Sequence, residues 1–158
     1  MVSRVLDATS FYAGVPFSSQ EQSFTTPLVL EEIKHIKKSH DAIQVLINLD
    51  RLKIIEPEQE NTKFVLEKAK ITGDLPELSR EDVSILALCV QLKGELITDD
   101  YTVSNVAKHL KLKVIPIMTK GISKVLDSKY TCPACNKIFN KISNCPICGS
   151  RLKKKSSL

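Results

Sequence analysis

Several features that mark common enzyme classes are missing from this 158-residue sequence. Its five glycines do not cluster, which excludes a glycine-rich loop that cradles phosphates. A G-x-S-x-G motif is absent, and no Cys/His pair occurs outside a C-terminal cysteine cluster, so acyl-transfer chemistry is poorly supported. No apolar run approaches the roughly 20 residues of a membrane helix, and Met1 to Arg4 lead into a strand rather than a signal peptide. We therefore expect a cytoplasmic protein with no membrane partner.

Acidic residues are missing from the C-terminal part of the chain, although the net charge is only +5. Residues 1–127 hold 16 Lys and Arg against 18 Asp and Glu, a net of −2, whereas residues 128–158 hold seven bases and no acid. A weakly acidic body with a basic tail predicts a polyanionic partner that contacts the tail. A lysine-rich tail that serves only solubility is the alternative.

Four of the five cysteines lie in this basic part, as Cys132-x-x-Cys135 and Cys145-x-x-Cys148. Each turn offers two thiolates, and two such turns suit one tetrahedral Zn²⁺ ion. Because four thiolates close the coordination sphere, we predict one structural zinc that holds a ribbon too small to fold alone. Two disulfides are the alternative, which a reducing compartment disfavours. Cys89 lies in an apolar helix and is expected to be packed there.

Basic and aromatic residues surround the cysteines, a combination that suits RNA phosphates and unstacked bases. The predicted RNA-binding residues are Lys129, Tyr130, Lys137, Phe139, Lys141, Arg151, Lys153, Lys154 and Lys155. The alternative for the two aromatic rings is that they pack the small core of the ribbon. RNA is nevertheless the partner that this combination of residues favours.

Strands and helices alternate along residues 1–120 without hairpin turn signals, which predicts an α/β domain with a mostly parallel sheet. The expected strands are 2–6, 23–25, 53–55, 96–97 and 114–117, with a loop at 15–22 and a helix from 27 to about 38. Another helix should begin at a Ser79/Asp82 capping box and end with Gly94 in the left-handed region. After this domain, residues 121–128 are predicted to be a linker, 129–152 the ribbon and 153–158 a basic tail.

Acids recur where the predicted strands end and where helices begin. Asp7 and the pair Asp99 and Asp100 follow strands, and Asp82 lies in the first turn of a helix. The carboxyl ends of parallel strands share one edge of a sheet, where ligands bind. Taken singly, each acid could cap a helix or complement its dipole. Together they would repel and raise one another's pKa unless Mg²⁺ or Mn²⁺ lies between them, and such ions can promote phosphodiester hydrolysis.

The segments VLDATSF, TPLVLEEI, LSREDVSILAL and LITDD resemble the acidic motifs of the PIN-domain nucleases. The resemblance implies a PIN-like α/β/α sandwich with an acidic catalytic site. Carried over by position, the catalytic acids are Asp7, Glu32, Asp82 and Asp100, with Asp99 as a further ligand of one or two Mg²⁺ or Mn²⁺ ions. The doublets 31–32 and 99–100 leave open which member points into the site. Thr9 and Thr98 resemble the hydroxyl residues that flank it.

With its four-cysteine ribbon and basic tail, the whole chain resembles the Nob-type endonucleases of ribosome assembly in their short archaeal form. This resemblance implies an endoribonuclease that cleaves small-subunit (16S) precursor rRNA at its 3′ end in a pre-ribosomal particle, with a KH-domain assembly factor as a further partner. The residue patterns alone indicate only a metal-dependent, nuclease-like domain with a zinc RNA-binding module. Two other hypotheses stay open: a PIN ribonuclease of the toxin or RNA-decay type, and a non-catalytic RNA-binding assembly factor whose acids only cap helices.

Overall fold

A five-stranded parallel sheet lies at the centre of the larger part of the protein. The computed structural model describes residues 2–35, 40–117, 129–140 and 144–154, and the statements below concern these ranges. The strands are β1 (Arg4–Leu6), β2 (Ser23–Thr25), β3 (Leu52–Ile54), β4 (Glu95–Ile97) and β5 (Lys113–Ile115). The helices are α1 (Ala8–Tyr12), α2 (Val15–Ser18), α3 (Pro27–Ile33), α4 (His40–Asn48), α5 (Gln59–Thr72), α6 (Arg80–Leu92) and α7 (Tyr101–His109), with a 3-10 turn at Leu75–Glu77. The predicted α/β class with a mostly parallel sheet is confirmed.

The strand order β3-β2-β1-β4-β5 places β1 in the middle of the sheet. The chain first builds the sheet to one side of β1 and then returns to build it on the other side, starting with β4. The registers of these two central strands pair Leu6 with Ile97. Connections that leave neighbouring strands in opposite directions open a crevice at the carboxyl edge of such a sheet. Asp7 and Thr98, which directly follow the paired residues, therefore lie at this crevice.

Helix α6 is the buried helix that fixes one wall of the crevice. All seven residues from Val83 to Cys89 are buried, and the helix packs against α3, α5 and β1. Burial of each large aliphatic side chain contributes roughly 1.5–3 kcal/mol, so the position of the helix is strongly determined. As in every helix of the described ranges, its length and apolar composition fall short of what crossing a membrane requires.

The end of α6 differs from the prediction in an informative way. Lys93, rather than Gly94, adopts the left-handed conformation, with φ 50°. Gly94 is required for space instead, because a Cβ atom at this position would lie 2.4 Å from the carbonyl oxygen of Ser3. Real Cβ atoms do not approach a backbone oxygen so closely. The prediction that Gly94 takes the positive φ is therefore wrong, although the helix ends where expected.

Three other boundaries change. The predicted loop at 15–22 begins instead with the short helix α2, which follows Gly14 at φ 76° and carries Pro16 in its first turn, where proline is tolerated. The helix predicted to run to about Lys38 ends at Ile33 in the described residues, and 36–39 lie outside them. Strand β5 ends before Pro116, which has no N–H for the sheet ladder. The predicted linker 121–128 also lies outside the described residues.

The cysteine-containing part forms a small antiparallel sheet. Its strands are β6 (Tyr130–Thr131), β7 (Ile138–Phe139) and β8 (Lys153–Lys154), in the order β7-β6-β8. Its core consists of four buried residues, namely Tyr130, Cys132, Cys145 and Leu152. Because side chains alternate along a strand, Lys153 and Lys154 point to opposite faces of this sheet. Lys153 is exposed, whereas Lys154 is partly buried.

Side chains of the small sheet contact the larger α/β part. The hydroxyl of Tyr130 donates to the carbonyl oxygen of Gly73. Lys154 Nζ lies 3.1 Å from Asp74 Oδ1 and 3.0 Å from Glu77 Oε1. Although burial alone would lower it, hydrogen bonds to Glu77 and Asp74 raise the pKa of Lys154. The division into two domains stays a prediction, to which the structure adds a polar contact between them.

Replacement of Lys154 by methionine is expected to lower the free energy of unfolding by about 1–3 kcal/mol, because Asp74 would lose its cationic partner. Asp74 is only 2% exposed, so its carboxylate depends on protein groups rather than on water. Since the folded-state pKa of Lys154 is raised above 10.5, this stabilisation is present at neutral pH and is lost as pH rises through that higher value. Thermal unfolding at pH 7 measures the effect.

The matched control is Lys153→Met on the same strand. Lys153 is exposed, so this variant should unfold within about 0.5 kcal/mol of the native protein. Equal stabilities for the two methionine variants would contradict the role given to Lys154.

Candidate active site and zinc centre

Asp7 is a buried carboxylate that hydroxyl groups hold in place. It is 5% exposed, at the carboxyl end of β1. Its Oδ1 accepts hydrogen bonds from Thr9 Oγ1 at 2.7 Å and from Ser10 N at 3.0 Å, and the Ser10 hydroxyl bridges Oδ1 and the carbonyl oxygen of Ile97. Its Oδ2 accepts from Thr98 Oγ1. Burial raises the pKa of Asp7 more than these hydrogen bonds lower it.

The two aspartates that follow β4 make different contacts. Asp100 caps α7, since its Oδ1 accepts from Val103 N at 2.9 Å, while its own N–H donates to Thr98 Oγ1 at 2.9 Å. Asp99 Oδ1 accepts from Ile117 N at 2.8 Å and so ties this loop to the segment after β5. Both the cap predicted for Asp100 and its place near the other acids are therefore present, whereas one oxygen of Asp99 is occupied elsewhere.

Asp82 forms the predicted capping box at the start of α6. Its Oδ2 accepts from Ser79 N at 2.8 Å, and its own N–H donates to Ser79 Oγ at 3.1 Å. The pKa of Asp82 is raised, first by burial and then by the negative charges of Asp100 and Glu81, against the capping bonds that lower it. One carboxylate thus both caps the helix and faces other acids.

The two neighbouring glutamates of α3 have different surroundings. Glu31 pairs with Lys34 at 2.6 Å. Glu32 is also exposed, but it faces the other acids. The pKa of its carboxyl is raised by partial desolvation and then by four negative charges. In decreasing order these are Glu81, Asp82, Asp7 and Asp100. The structure therefore brings Glu32, rather than Glu31, to the other acids.

Four acids thus approach one another near the carboxyl edge of the sheet. Within the described ranges, no lysine or arginine forms an ion pair with Asp7, Glu32, Asp82 or Asp100. In those same ranges, groups of three or more ligand atoms within 4.8 Å of one another are found at the cysteines and not at these acids. An Mg²⁺ or Mn²⁺ ion shared by these acids would therefore reach some of them through its water ligands, since Mg²⁺ usually keeps several of its waters and binds only one or two carboxylates directly.

Two residues of this site were missed from the sequence. Ser10 links Asp7 to β4 through its bridging hydroxyl, and Glu81 is the largest electrostatic influence on Glu32. A partial signal existed for Ser10, because an N-cap aspartate accepts from the backbone N–H two or three residues later, but nothing indicated that the Ser10 hydroxyl would reach β4. Glu81 stands next to Asp82 in sequence, but nothing in the pattern showed that it would face α3.

The four cysteines of the small sheet come together as predicted. Their Sγ atoms all lie within 4.8 Å of one another, with Cys132 and Cys148 at 3.2 Å and Cys135 and Cys145 at 3.7 Å. Two tight turns place them, through left-handed residues directly after the second and fourth cysteines. These residues are Asn136 at φ 58° and Gly149 at φ 75°. The sulfur-only donor set and its tetrahedral number fit a structural zinc site.

The proton affinities of these thiols also fit a cation. Hydrogen bonding with Ser150 lowers the pKa of Cys148 to about 6. For Cys135, the Lys137 backbone lowers the pKa, but burial and the neighbouring thiols raise it to about 11. The Cys148 thiol thus ionises readily, and its negative charge then opposes ionisation of the neighbouring thiols. A divalent cation among them removes this conflict, since it binds all of them as thiolates.

The predicted RNA-binding residues fall into three groups. Exposed bases are Lys129, Lys137, Arg151 and Lys153, and Phe139 is half-buried against the ribbon core. Tyr130 and Lys154 face inward instead: Tyr130 is 1% exposed, and Lys154 pairs with two acids of the α/β part. Tyr130 presents no surface to RNA, so the core-packing alternative holds for it, and the ammonium of the partly buried Lys154 is committed to two carboxylates. Lys141 and Lys155 lie outside the described residues.

Comparison with known proteins adds one family match and three relatives. A family model described as the PIN domain of ribonuclease matches residues 4–92, which include Asp7, Glu32 and Asp82. The chain is 37% identical over 152 residues to endoribonuclease Nob1 of Pyrococcus abyssi, covering 94% of this chain and 91% of that protein. It is 37% identical over 156 residues to endoribonuclease Nob1 of Methanocaldococcus jannaschii, covering 96% and 77%. The 20S-pre-rRNA D-site endonuclease NOB1 of Saccharomyces cerevisiae is 34% identical over 100 residues, covering 61% of this chain and 22% of that protein.

Proposed function

Because the chain belongs to the Nob1 family of PIN-domain endoribonucleases and is itself an endoribonuclease of rRNA processing, we propose that it cleaves small-subunit (16S) precursor rRNA at its 3′ end during ribosome biogenesis. The observation that carries this proposal is the placement of four acids at the carboxyl edge of the sheet: Asp7 after β1, Glu32 on α3, Asp82 in the first turn of α6 and Asp100 at the start of α7. Their mutual repulsion, which raises the pKa of Glu32, would be relieved by a cation bound among them.

Asp7, Glu32, Asp82 and Asp100 would hold the catalytic Mg²⁺ or Mn²⁺, with Asp99 as a further ligand. Such an ion, when bound, activates water and stabilises the leaving oxygen of a phosphodiester. The donor set fits, because hard carboxylate oxygens are the ligands that these ions prefer. Titration with Mn²⁺ measures the number of ions bound, one or two.

The chain's own residues would orient this site. The hydroxyls of Thr9, Ser10 and Thr98 fix the Asp7 carboxylate, so that little reorganisation is needed when a ligand arrives. Thr98 Oγ1 also accepts from Asp100 N, which couples the positions of the two aspartates. We assign these hydroxyls as positioning groups and not as acids or bases.

The ribbon would bind RNA away from the cut. We propose that one zinc ion, held by Cys132, Cys135, Cys145 and Cys148, maintains the fold that presents Lys129, Lys137, Arg151 and Lys153 to phosphates. Phe139 offers a partly exposed ring to an unstacked base. Lys141 and Lys155 would add to the same basic surface.

The setting of this activity follows from its substrate. The proposed partner is the precursor rRNA within a pre-ribosomal particle in the cytoplasm. A KH-domain assembly factor is included as a further partner on the resemblance to Nob-type nucleases. The hypotheses of a toxin-type or RNA-decay nuclease are disfavoured, because the matches to the archaeal Nob1 proteins cover 94–96% of this chain and so include the cysteine ribbon.

Incubation of the protein with an RNA that spans the 3′ end of small-subunit rRNA tests the proposal. With Mn²⁺, the protein should cut this RNA at a single site, and addition of EDTA should stop the cutting because the acids then lack their cation. Denaturing gel electrophoresis of an end-labelled RNA locates the cut.

A shuffled RNA of the same composition is the control. Cutting of both RNAs at many sites would favour a general ribonuclease, and absence of cutting with either ion would support an RNA-binding factor whose acids only cap helices.

A further inference from the structure

A cavity of about 360 Å³ opens beside the acidic crevice. This volume lies within the usual range of ligand pockets. Its wall is mainly aliphatic, since Leu28, Leu66, Leu75, Leu78 and Val83 line it. Polar residues also line it, namely Glu56, Thr62, Ser79, Arg80 and Ser84. The cavity is therefore a largely apolar slot with a few polar groups, next to a site that is strongly acidic.

Two residues that line the cavity lie next to acids of the crevice. Leu28 stands four residues before Glu32 on α3, so the two side chains lie one above the other on the same helix face. Ser79 also lines the cavity, and its backbone N–H donates to Asp82 Oδ2 at 2.8 Å. A nucleotide whose phosphate lies at the acids would thus have its sugar and base within reach of this slot.

Ser84 supplies the independent sign of a ligand. Its residue is 4% exposed, and its Oγ has no hydrogen-bond partner in the described part of the chain. A serine inside a helix usually bonds back to the carbonyl four residues earlier, but this one does not. A buried hydroxyl without a partner is unfavourable, and a polar atom of a ligand in the cavity would satisfy it.

We propose that this cavity receives one base of the RNA beside the scissile phosphate. Flat bases are held between apolar side chains and are read by hydrogen bonds to their edges, which is the combination that the leucines and Ser84 provide. Arg80 also lines the cavity and is exposed, so it can attract the adjoining phosphate. This inference rests on the proposed function, to which it adds a determinant of where the RNA is cut.

The ribbon docks on the same wall. Leu75 and Leu78 belong to the segment that also carries Asp74 and Glu77, the two partners of Lys154. The ribbon is therefore held against the same segment that forms part of the cavity wall.

Leu66→Trp tests the proposal by filling the cavity from its exposed side. Leu66 is 37% exposed on α5, so a larger side chain can be accommodated without disturbing the core. The matched control is Ile71→Trp on the same helix, at a position that is 76% exposed and outside the cavity lining. A second variant, Ser84→Ala, removes only the hydroxyl. Each protein is assayed with Mn²⁺ on RNAs in which one nucleotide next to the cut, at each position in turn, is replaced by an abasic residue.

One abasic position should lower kcat/KM of the native protein and of Ile71→Trp about tenfold. The kcat/KM of Leu66→Trp on the intact RNA should be about tenfold lower than that of the native protein. At the sensitive abasic position its kcat/KM should fall little further, because the base contact is already absent. For Ser84→Ala, the decrease in kcat/KM caused by that abasic position should be smaller than for the native protein. Equal sensitivity of Leu66→Trp and the native protein to every abasic position, or no sensitivity in either, would overturn the base-binding role while the nuclease assignment stands. Failure of the native protein to cut intact RNA would remove both.

Discussion

Replacement of Asp7 by asparagine is expected to reduce RNA cleavage about 100-fold or more while the protein remains folded. The side chain is isosteric, and its amide oxygen can keep the bonds from Thr9 and Ser10. The amide nitrogen would face Thr98 Oγ1, which has lone pairs to accept it. What disappears is the negative charge at the centre of the site, and a loss of about 3 kcal/mol of ion-mediated stabilisation corresponds to roughly 100-fold in rate. Single-turnover cleavage with saturating Mn²⁺ measures it.

A neighbouring pair of residues provides the control for this first prediction. Glu32→Gln should also lose most activity, because Glu32 faces the other acids, whereas Glu31→Gln should stay within about twofold of native, because Glu31 pairs with Lys34 instead. Calorimetric titration with Mn²⁺ should show weaker uptake by Asp7→Asn and Glu32→Gln only. Native rates and native Mn²⁺ uptake in both would remove the acids from the catalytic assignment.

The acidic site was largely predictable because its members obey local rules. Asp7 directly follows β1, Asp100 caps the helix after β4, and Asp82 lies in a capping box, so their places near the sheet edge follow from secondary structure alone. Periodicity could not decide between Glu31 and Glu32, since consecutive positions on a helix differ by only 100° and both could face the crevice. The packing of α3 on α6 decides it.

The contact between the ribbon and the α/β part was not predictable from sequence. A tyrosine and a lysine beside a zinc site look equally suited to RNA, and both were predicted to bind it. The difference comes from a partner far along the chain: Asp74, buried after α5, draws Lys154 inward across the strand, and Gly73 accepts from Tyr130. The sequence of residues 129–154 contains no pattern that indicates these acceptors, because they lie in a distant part of the chain. Only the folded structure brings the two segments together.

Replacement of Cys145 by serine is expected to abolish zinc binding and to weaken RNA binding at least tenfold. Two of the four buried core residues of the ribbon are cysteines, so without the metal its core is too small to persist. The exposed bases would then lose their arrangement, and binding would retain only non-specific attraction with a smaller dependence on salt. Metal analysis and fluorescence anisotropy at several salt concentrations measure both effects.

Cys89→Ser is the matched control for this second prediction. Cys89 is fully buried in α6, where burial raises its pKa to about 12, and it belongs to a separate core cluster that shares no residue with that of the ribbon. This variant should lose stability but keep one zinc and native RNA affinity.

In Cys145→Ser, the α/β part should stay folded, because its own core is intact. Its unfolding temperature should fall only by the few degrees that the contacts of Tyr130 and Lys154 supply. Retention of zinc by Cys145→Ser, or cooperative unfolding of the whole chain, would contradict a ribbon that zinc alone maintains.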